Sequence, residues 1–271
     1  MEQITDQEFS ELVQFIQRHY GINLSQKKCL VLGRLYNYIV QNGFESFSDY
    51  FQHIVNDGTG KAGTVLVNKL TTNHTYFFRE PQHFEFLQQE ALPYLSKNLS
   101  SAKDLRVWSA GCSTGEEPYT LAMTFDAFWG VERHFWDTKV LATDISTAAL
   151  ERAQKAIYPN SQLEALPTGW GAKYFCKMDE EHCIVKDAIR KEVIFRRFNL
   201  MNEAFPFKKK FHLIFCRNVM IYFDAVTKRN LINRFYDITE PGGYLFIGHS
   251  ESVNRHESRY SFIAPAIYRK E

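Results

Sequence analysis

The chain reads as an α/β protein in which a small all-helical N-terminal region precedes a mainly parallel sheet. Three observations predict this. Up to about Leu70 the apolar residues recur only at helical spacing; beyond Leu105 short apolar runs alternate with helical stretches; and the last two runs, around Phe262 and Ile267, are separated by Pro265. Alternating strands and helices imply parallel strands covered on both faces, and the final pair implies an antiparallel closing hairpin. The 271 residues suffice for one large domain and one small one. The expected division is residues 1–70 as a helical domain, 71–104 as a linker and helix contributing to a cofactor site, and 105–271 as the α/β domain. An inserted subdomain is expected at about 157–190.

The helical region follows from capping signals and period. Thr5 and Glu8 have capping-box spacing, and Phe9, Leu12, Val13 and Ile16 then fall on one face before Gly21. A second helix is expected from about Ser25 to Gln41, with Leu32, Leu35 and Ile39 inward and Gly43 at its end. A third is expected from Ser46 to Val55 and, after Asp57-Gly58-Thr59-Gly60, a fourth from Val65 to Leu70. Candidate strands are Leu105 to Ala110, Lys139 to Thr143, Val193 to Phe198, Phe211 to Cys216 and Tyr244 to Gly248, besides the final pair. Between Ile157 and Arg190, Pro159, Pro167, Gly169 and Gly171 break the alternation, which marks the insertion.

Composition excludes several classes of function. Thirty-two basic and 31 acidic residues nearly cancel to +1, so bulk nucleic-acid binding is not expected, and Lys208-Lys209-Lys210 reads as a solvated loop. No apolar run approaches the ~20 residues of a membrane span, and Met1-Glu2-Gln3 lacks signal-peptide character, so a cytoplasmic protein is expected. The five cysteines form no C-x-x-C pair and the nine histidines no H-x-x-x-H pair, so neither a disulfide framework nor a metal site is expected.

The most informative stretch runs from Val107 to Pro118: a buried strand, a turn with Gly111 and Gly115, and a helix start, followed by a second strand ending at Asp144. Glycines there let the backbone turn sharply and approach a ligand closely. A dinucleotide site would set a pyrophosphate on that helix N-terminus, but Glu116 and Glu117 occupy it. Two carboxylates repel a pyrophosphate and suit an ammonium group, such as the methionyl end of S-adenosylmethionine. Asp144 also lies further from Gly111 than the ~20 residues of the NAD fingerprint. A simpler reading makes Thr114 and Glu117 a capping box with Pro118 in the first turn; it leaves the glycines and Asp144 unexplained, and both can hold at once.

Five blocks in order carry a family resemblance. They are Leu70-Thr71-Thr72-Asn73-His74-Thr75-Tyr76-Phe77-Phe78-Arg79-Glu80; Val107 to Pro118; Ala142-Thr143-Asp144-Ile145; Ile214-Phe215-Cys216-Arg217-Asn218-Val219-Met220-Ile221-Tyr222-Phe223-Asp224; and Gly248-His249-Ser250-Glu251. Over nearly its whole length the chain resembles the chemotaxis receptor methyltransferases, the CheR family. The resemblance implies a class I S-adenosylmethionine-dependent methyltransferase fold, Rossmann-like, behind the helical domain. It implies methyl transfer to glutamate side chains on the cytoplasmic helices of methyl-accepting chemoreceptors, with S-adenosylhomocysteine as product.

Carried over position by position, the resemblance implies cofactor contacts from Asn73, Thr75, Arg79, Glu117, Asp144, Asn199, Leu200, Arg217 and Asn218, with Gly111 in the turn. Asp144 would accept hydrogen bonds from the ribose hydroxyls, and Asn199, ending a third strand, would meet the adenine edge. Arg79 and Tyr222 are the catalytic candidates, positioning the acceptor carboxylate. Arg79 and Glu80 could be an ordinary surface pair and Tyr222 core packing, but the first leaves Asn73 and Thr75 unexplained and the second leaves a hydroxyl to satisfy. The role of His249-Ser250-Glu251 does not follow from the sequence.

Two departures from the family bear on partners. Members that dock on a receptor's C-terminal pentapeptide carry a glycine-bearing loop in the insertion, whereas Lys177-Met178-Asp179-Glu180-Glu181-His182-Cys183 has none, so tail docking is not expected. The second helix offers only Lys27, Lys28 and Arg34 toward acidic receptor helices. The alternatives are a non-catalytic sensor of S-adenosylmethionine or S-adenosylhomocysteine and an NAD-dependent oxidoreductase. An N-methyltransferase is disfavoured because no N-P-P-Y or D-P-P-Y turn precedes Arg217.

Overall fold

The computed structural model describes residues 4–71, 73–254 and 257–271; Met1 to Gln3, read above for signal-peptide character, and Thr72 of the first family block lie outside them. Four helices come first: α1 (Asp6–Tyr20), α2 (Lys28–Gln41), α3 (Phe47–Asn56) and α4 (Lys61–Leu70). The Thr5 and Glu8 capping box forms, and α1 buries Phe9, Leu12, Val13 and Ile16. Helix α2 starts three residues later than expected, because Ser25 donates from its backbone and hydroxyl to Asn23 Oδ1 and Lys27 N–H bonds the Leu24 carbonyl, a turn that delays the helix. Val31 rather than Leu32 joins Leu35 and Ile39 in the core. Helix α4 starts four residues earlier than expected, its first turn held by Asp57, which accepts from the Thr59 and Ala62 backbone.

A helical stretch follows, α5 (Pro81–Phe86) running through a π-turn at Leu87–Ala91 into α6 (Leu92–Asn98). Then come β1 (Val107–Ala110), α7 (Glu116–Trp129), β2 (Val140–Asp144) and α8 (Thr147–Lys155). The expected insertion contains β3 (Ile157–Pro159), α9 (Trp170–Tyr174), β4 (Phe175–Lys177), β5 (His182–Val185) and α10 (Asp187–Arg190), its strands forming a separate antiparallel sheet in the order β3-β5-β4. The main fold resumes with β6 (Val193–Arg197), β7 (Phe211–Cys216), α11 (Ala225–Asp237), β8 (Thr239–Ile247), β9 (Ser261–Ala264) and β10 (Ile267–Arg269). Strand β8 begins five residues before the expected Tyr244; its early part contains Pro241-Gly242-Gly243, residues that weaken a strand signal, yet Thr239 pairs with Phe211.

The main sheet has the order β6-β2-β1-β7-β8-β10-β9. The first five strands are parallel and β10 is antiparallel to both its neighbours, which is the mainly parallel sheet with a closing hairpin that the sequence predicts. Every residue of β1 and β7 is buried, as expected of central strands covered on both sides. Alternation sends Val107, Leu213, Phe215 and Phe246 into a core shared with α7 and the insertion. It sends Trp108, Ala110, Ile214, Cys216, Leu245 and Ile247 into a second core shared with α11 and all four N-terminal helices. The helical domain is therefore packed on one face of the sheet by a continuous apolar layer. Burial at this scale, ~25 cal/mol per Å² of apolar surface, fixes where α1 and α2 stand relative to the strand ends.

Gly21 marks the join. It closes α1 in the left-handed region at φ 73°, and a Cβ there would stand 2.6 Å from Met201 Sδ and 3.1 Å from Phe223 Cε1. Gly21→Ala should lower the unfolding free energy by about 1–3 kcal/mol, combining left-handed strain with overpacking. Denaturant unfolding measures it, and an unchanged midpoint would show that this join tolerates a side chain.

Candidate active site

The pocket opens at the carboxyl ends of β1, β2 and β7. The chain leaves β1 for β2 on one side and later returns to β7 on the other, so the site lies at the switch point of the strand order, where open α/β sheets bind ligands. Gly111 directly follows β1, Asp144 ends β2 and Arg217 directly follows β7. The pocket wall also takes Tyr20, Ile22, Leu24, Lys27, Leu30 and Arg34 from the helical domain. Asn73, Thr75, Arg79, Gly111, Glu117, Asp144, Asn199, Leu200, Arg217, Asn218 and Tyr222 all line this one pocket.

Its charged centre is Arg217, whose side chain is 2 % exposed. One guanidinium nitrogen donates to Glu117 Oε2 at 3.1 Å; the other donates to Glu80 Oε2 at 3.2 Å and to the Arg79 carbonyl. Phe84 packs 5.4 Å from the guanidinium carbon. Glu117 also accepts from the Ser109 hydroxyl at 2.7 Å. Burial raises the Glu117 carboxyl above its ordinary range, against the opposing pull of Arg217. At Glu80 burial pushes the same way, but Arg217 together with hydrogen bonds from the His249 backbone and Asn218 outweighs it and holds that carboxyl below its ordinary range.

The two glutamates of the helix start part company here. Glu117 faces the pocket, whereas Glu116 is buried, accepts from the Thr114 hydroxyl at 2.7 Å and does not line it. The pair of pocket carboxylates expected from sequence is thus a single one already paired with arginine. Nor does Thr114 cap the helix: the cap is Gly115 at φ 99°, so the capping box is not formed. Gly115 is left-handed and so pressed against Ala153 and Tyr158 that a Cβ would fall 2.9 Å from each.

Asp144 is held by the backbone N–H groups of Ser113 (2.8 Å) and Ser146 (2.9 Å), and burial raises its carboxyl despite them. The Ser113 hydroxyl beside it is buried without a partner and lines the pocket. Gly111, at φ 90°, lies so close to Val219 that a Cβ would fall 2.4 Å from its methyl group. A carboxylate at a strand end, an unsatisfied hydroxyl and a side-chain-free turn suit a ligand carrying a sugar diol. Asn199 stands two residues past β6 rather than at its end. Its amide nitrogen donates to the His19 carbonyl and its oxygen accepts from the Met201 backbone, so it ties the end of α1 to the pocket wall.

Sequence reasoning missed two carboxylates. Glu251 accepts from the backbone of Asn218, Gly248 and Ile221, which gives the Gly248-His249-Ser250-Glu251 block a role: it clamps the loop that presents Asn218 and Tyr222. Glu80 ties the Arg79 turn to Arg217 and Asn218. Among the described residues Glu80, His83 and His249 bring ligand-type atoms within 4.8 Å of one another. The guanidinium 3.2 Å from Glu80 repels a second cation and occupies the carboxylate, which argues against a metal centre, and neither ring nitrogen of the buried His83 has a hydrogen-bond partner among the described residues. Non-glycine residues with left-handed backbone also gather here: Phe78, Glu80, Ser113 and Asn218, at φ between 49° and 59°. Such strain persists where surrounding contacts over-determine it, as at functional sites. At the mouth, Arg79 donates to the His74 carbonyl and stacks near Tyr76, while Lys27 lies 5.6 Å from the Tyr222 ring.

The family description "CheR methyltransferase, SAM binding domain" matches residues 73–268, and "CheR methyltransferase, all-alpha domain" matches residues 7–71. The chain is 43% identical to a chemotaxis protein methyltransferase of Borreliella burgdorferi, covering 98% of this chain and 95% of that one. It is 34% identical to the chemotaxis protein methyltransferase of Escherichia coli, over 98% of this chain and 91% of that one. It is 36% identical to chemotaxis protein methyltransferase 1 of Pseudomonas aeruginosa, over 92% and 91%. The chain belongs to the CheR methyltransferase family, and its cofactor is S-adenosylmethionine.

Proposed function

We propose that this protein transfers a methyl group from S-adenosylmethionine to glutamate carboxylates on chemoreceptor helices, forming glutamyl methyl esters. The observation that carries the proposal is the gathering of Asp144, Glu117 and Arg217 with Arg79 and Tyr222 in one pocket. The family membership and that pocket favour an enzyme over a sensor module, and the buried carboxylates disfavour a pyrophosphate-bearing NAD.

The bound cofactor supplies a sulfonium methyl group to an entering carboxylate oxygen. In our reading Asp144 takes the ribose hydroxyls, Glu117 the ammonium and Arg217 the carboxylate of the methionyl end. Asn73, Thr75, Arg79, Gly111, Asn199, Leu200 and Asn218 complete the contacts. Glutamate has an ordinary pKa of about 4.3 and is already ionised at neutral pH, so no general base is needed. Attack on a cation annihilates charge, so catalysis rests on alignment at about 3–3.5 Å and on excluding water. Arg79 and Tyr222 orient the acceptor; too strong an ion pair from Arg79 would stabilise the ground state more than the less charged transition state. The methyl product should release methanol in mild base, as esters do, and a base-stable methyl would point to an amine acceptor. Arg79→Ala and Tyr222→Phe should reduce turnover more than cofactor affinity, and full activity in both would overturn the catalytic assignment.

Cofactor affinity should also depend on pH. Burial raises Glu117 and Asp144, and in this reading only their ionised forms bind ligand. Affinity should be full at neutral pH and fall on acidification, beginning above the ordinary carboxylate range. Fold stability should not follow it, because a raised native pKa means that protonating these groups relieves a cost. Calorimetry and thermal unfolding across mildly acidic pH separate the two, and an affinity flat with pH down to the ordinary carboxylate range contradicts the assignment.

The receptor tail is proposed to add nothing. The hairpin between β4 and β5 closes without glycine, Asp179 accepting from the Glu181 and His182 backbone. Tethering elsewhere raises local concentration toward millimolar without new active-site contacts. Methylation rates on receptors with and without their last residues should be equal. A large drop on tail removal would contradict this and mark the open edge of β4 as a strand-addition site.

A further inference from the structure

Glu80 lines no part of the pocket, yet its carboxylate is where three separate segments meet. Oε2 takes Arg217 at 3.2 Å; Oε1 takes the Asn218 side-chain amide at 3.3 Å and the His249 backbone N–H at 3.2 Å. The side chain is 14 % exposed, and its backbone is left-handed at φ 58°, ψ 67°, a conformation glutamate keeps only when its surroundings hold it. That backbone turn is why the adjacent Arg79 side chain reaches the mouth while Glu80 reaches inward. The Arg79 carbonyl accepts from the same Arg217 nitrogen, so the 79–80 turn is wrapped around the guanidinium.

We infer that Glu80 is a positioning residue, whose negative charge keeps Arg217 and Asn218 in the orientation that receives the methionyl end of the cofactor and keeps the second guanidinium nitrogen of Arg217 from also turning onto Glu117. The inference rests on the cofactor contacts proposed above. The groups hydrogen-bonded to the Glu80 carboxylate are all donors, a guanidinium N–H, an amide N–H and a backbone N–H, while the buried His83 Nδ1 lies 3.4 Å from Oε2 without a hydrogen bond. A neutral amide in its place would turn an NH₂ toward one of these donors and release the guanidinium. Arg217 lies between two carboxylates at nearly equal distance, so with one removed it would move to a bidentate pair with Glu117. That would take up the carboxylate assigned to the cofactor's ammonium group.

The test compares Glu80→Gln with Glu80→Asp, using S-adenosylhomocysteine titrated into each by calorimetry and S-adenosylmethionine in steady-state methylation of receptor membranes. Gln keeps the size and loses the charge; Asp keeps the charge and loses one carbon. If the charge positions Arg217, Gln weakens binding about tenfold or more, the range for losing a charged hydrogen bond, and Asp retains more affinity than Gln. The KM for S-adenosylmethionine should rise more than kcat falls, and because one partner of a buried ion pair loses its charge the melting temperature should fall while the variant stays folded at the assay temperature. Parent-like affinity in Gln, or Gln outperforming Asp, overturns the inference, because a space-filling role favours the isosteric amide. If Gln does not fold, Asp carries the test: a folded Asp variant that has lost tenfold or more overturns it. Asp144→Ala, measured in parallel, separates the two levels. Its affinity should fall about ten- to 150-fold, and an unchanged value there refutes the cofactor contacts themselves, independently of Glu80.

Discussion

The site depends on one buried cation. Arg217 is 2 % exposed, and a guanidinium so placed is tolerable only when charge and hydrogen bonds surround it. Glu117 comes from the helix after β1 and Glu80 from the turn before α5, and Arg217 follows β7, so one ion network joins three parts of the chain distant in sequence. The two carboxylates respond differently. Glu117, with fewer donors, stays raised by burial, whereas Glu80, with Arg217 and two amide donors, is held low. Glu80 is thus the settled partner, and Glu117 is the one to which the proposed contacts assign the cofactor's ammonium group.

The architecture around that network explains its rigidity. Central strands buried on both faces fix Gly111, Asp144 and Arg217 at adjacent strand ends, and the helical domain, fused to one face by a shared apolar core, supplies the opposite wall. The loop after β7 must present Asn218 in the left-handed region, which asparagine tolerates better than most residues. Glu251 meets the unpaired backbone N–H groups there, and Gly248 admits the close approach, since a Cβ at that position would fall 2.5 Å from the Asn218 amide. Four of the seven described non-glycine residues with left-handed backbone, Phe78, Glu80, Ser113 and Asn218, fall at this site.

Much of this was legible in the sequence because it is local. The Thr5–Glu8 capping box, the run of alternating strands and helices after Leu105 and the glycine turn before Glu117 each act within a few residues and are present, although the Thr114–Glu117 capping box is not and several element ends are shifted. The failures have physical causes. Ser25 reads as part of α2 because spacing does not reveal its bond to Asn23, which keeps it out of the helix. The early part of β8 was hidden by Pro241-Gly242-Gly243, whose pairing is decided by β7. Glu116 and Glu117 looked equivalent because spacing does not reveal that Thr114 draws one inward and Arg217 the other. Glu80 was given no role beside Arg79, since nothing local announces a left-handed turn that sends neighbouring charges in different directions. The role of Glu251 rests on contacts with residues about thirty positions away.

The central claim is that a guanidinium bridging two carboxylates organises the cofactor pocket, and Arg217→Lys tests it most directly. Lysine preserves the buried positive charge, so the fold should survive, but a single ammonium cannot offer the planar fork that spans Glu117 and Glu80. Calorimetric titration with S-adenosylhomocysteine should show affinity reduced by about tenfold or more while the melting temperature stays close to the parent's. Parent-like affinity in the lysine variant would contradict the account, since charge alone, without the bridge, would then be sufficient.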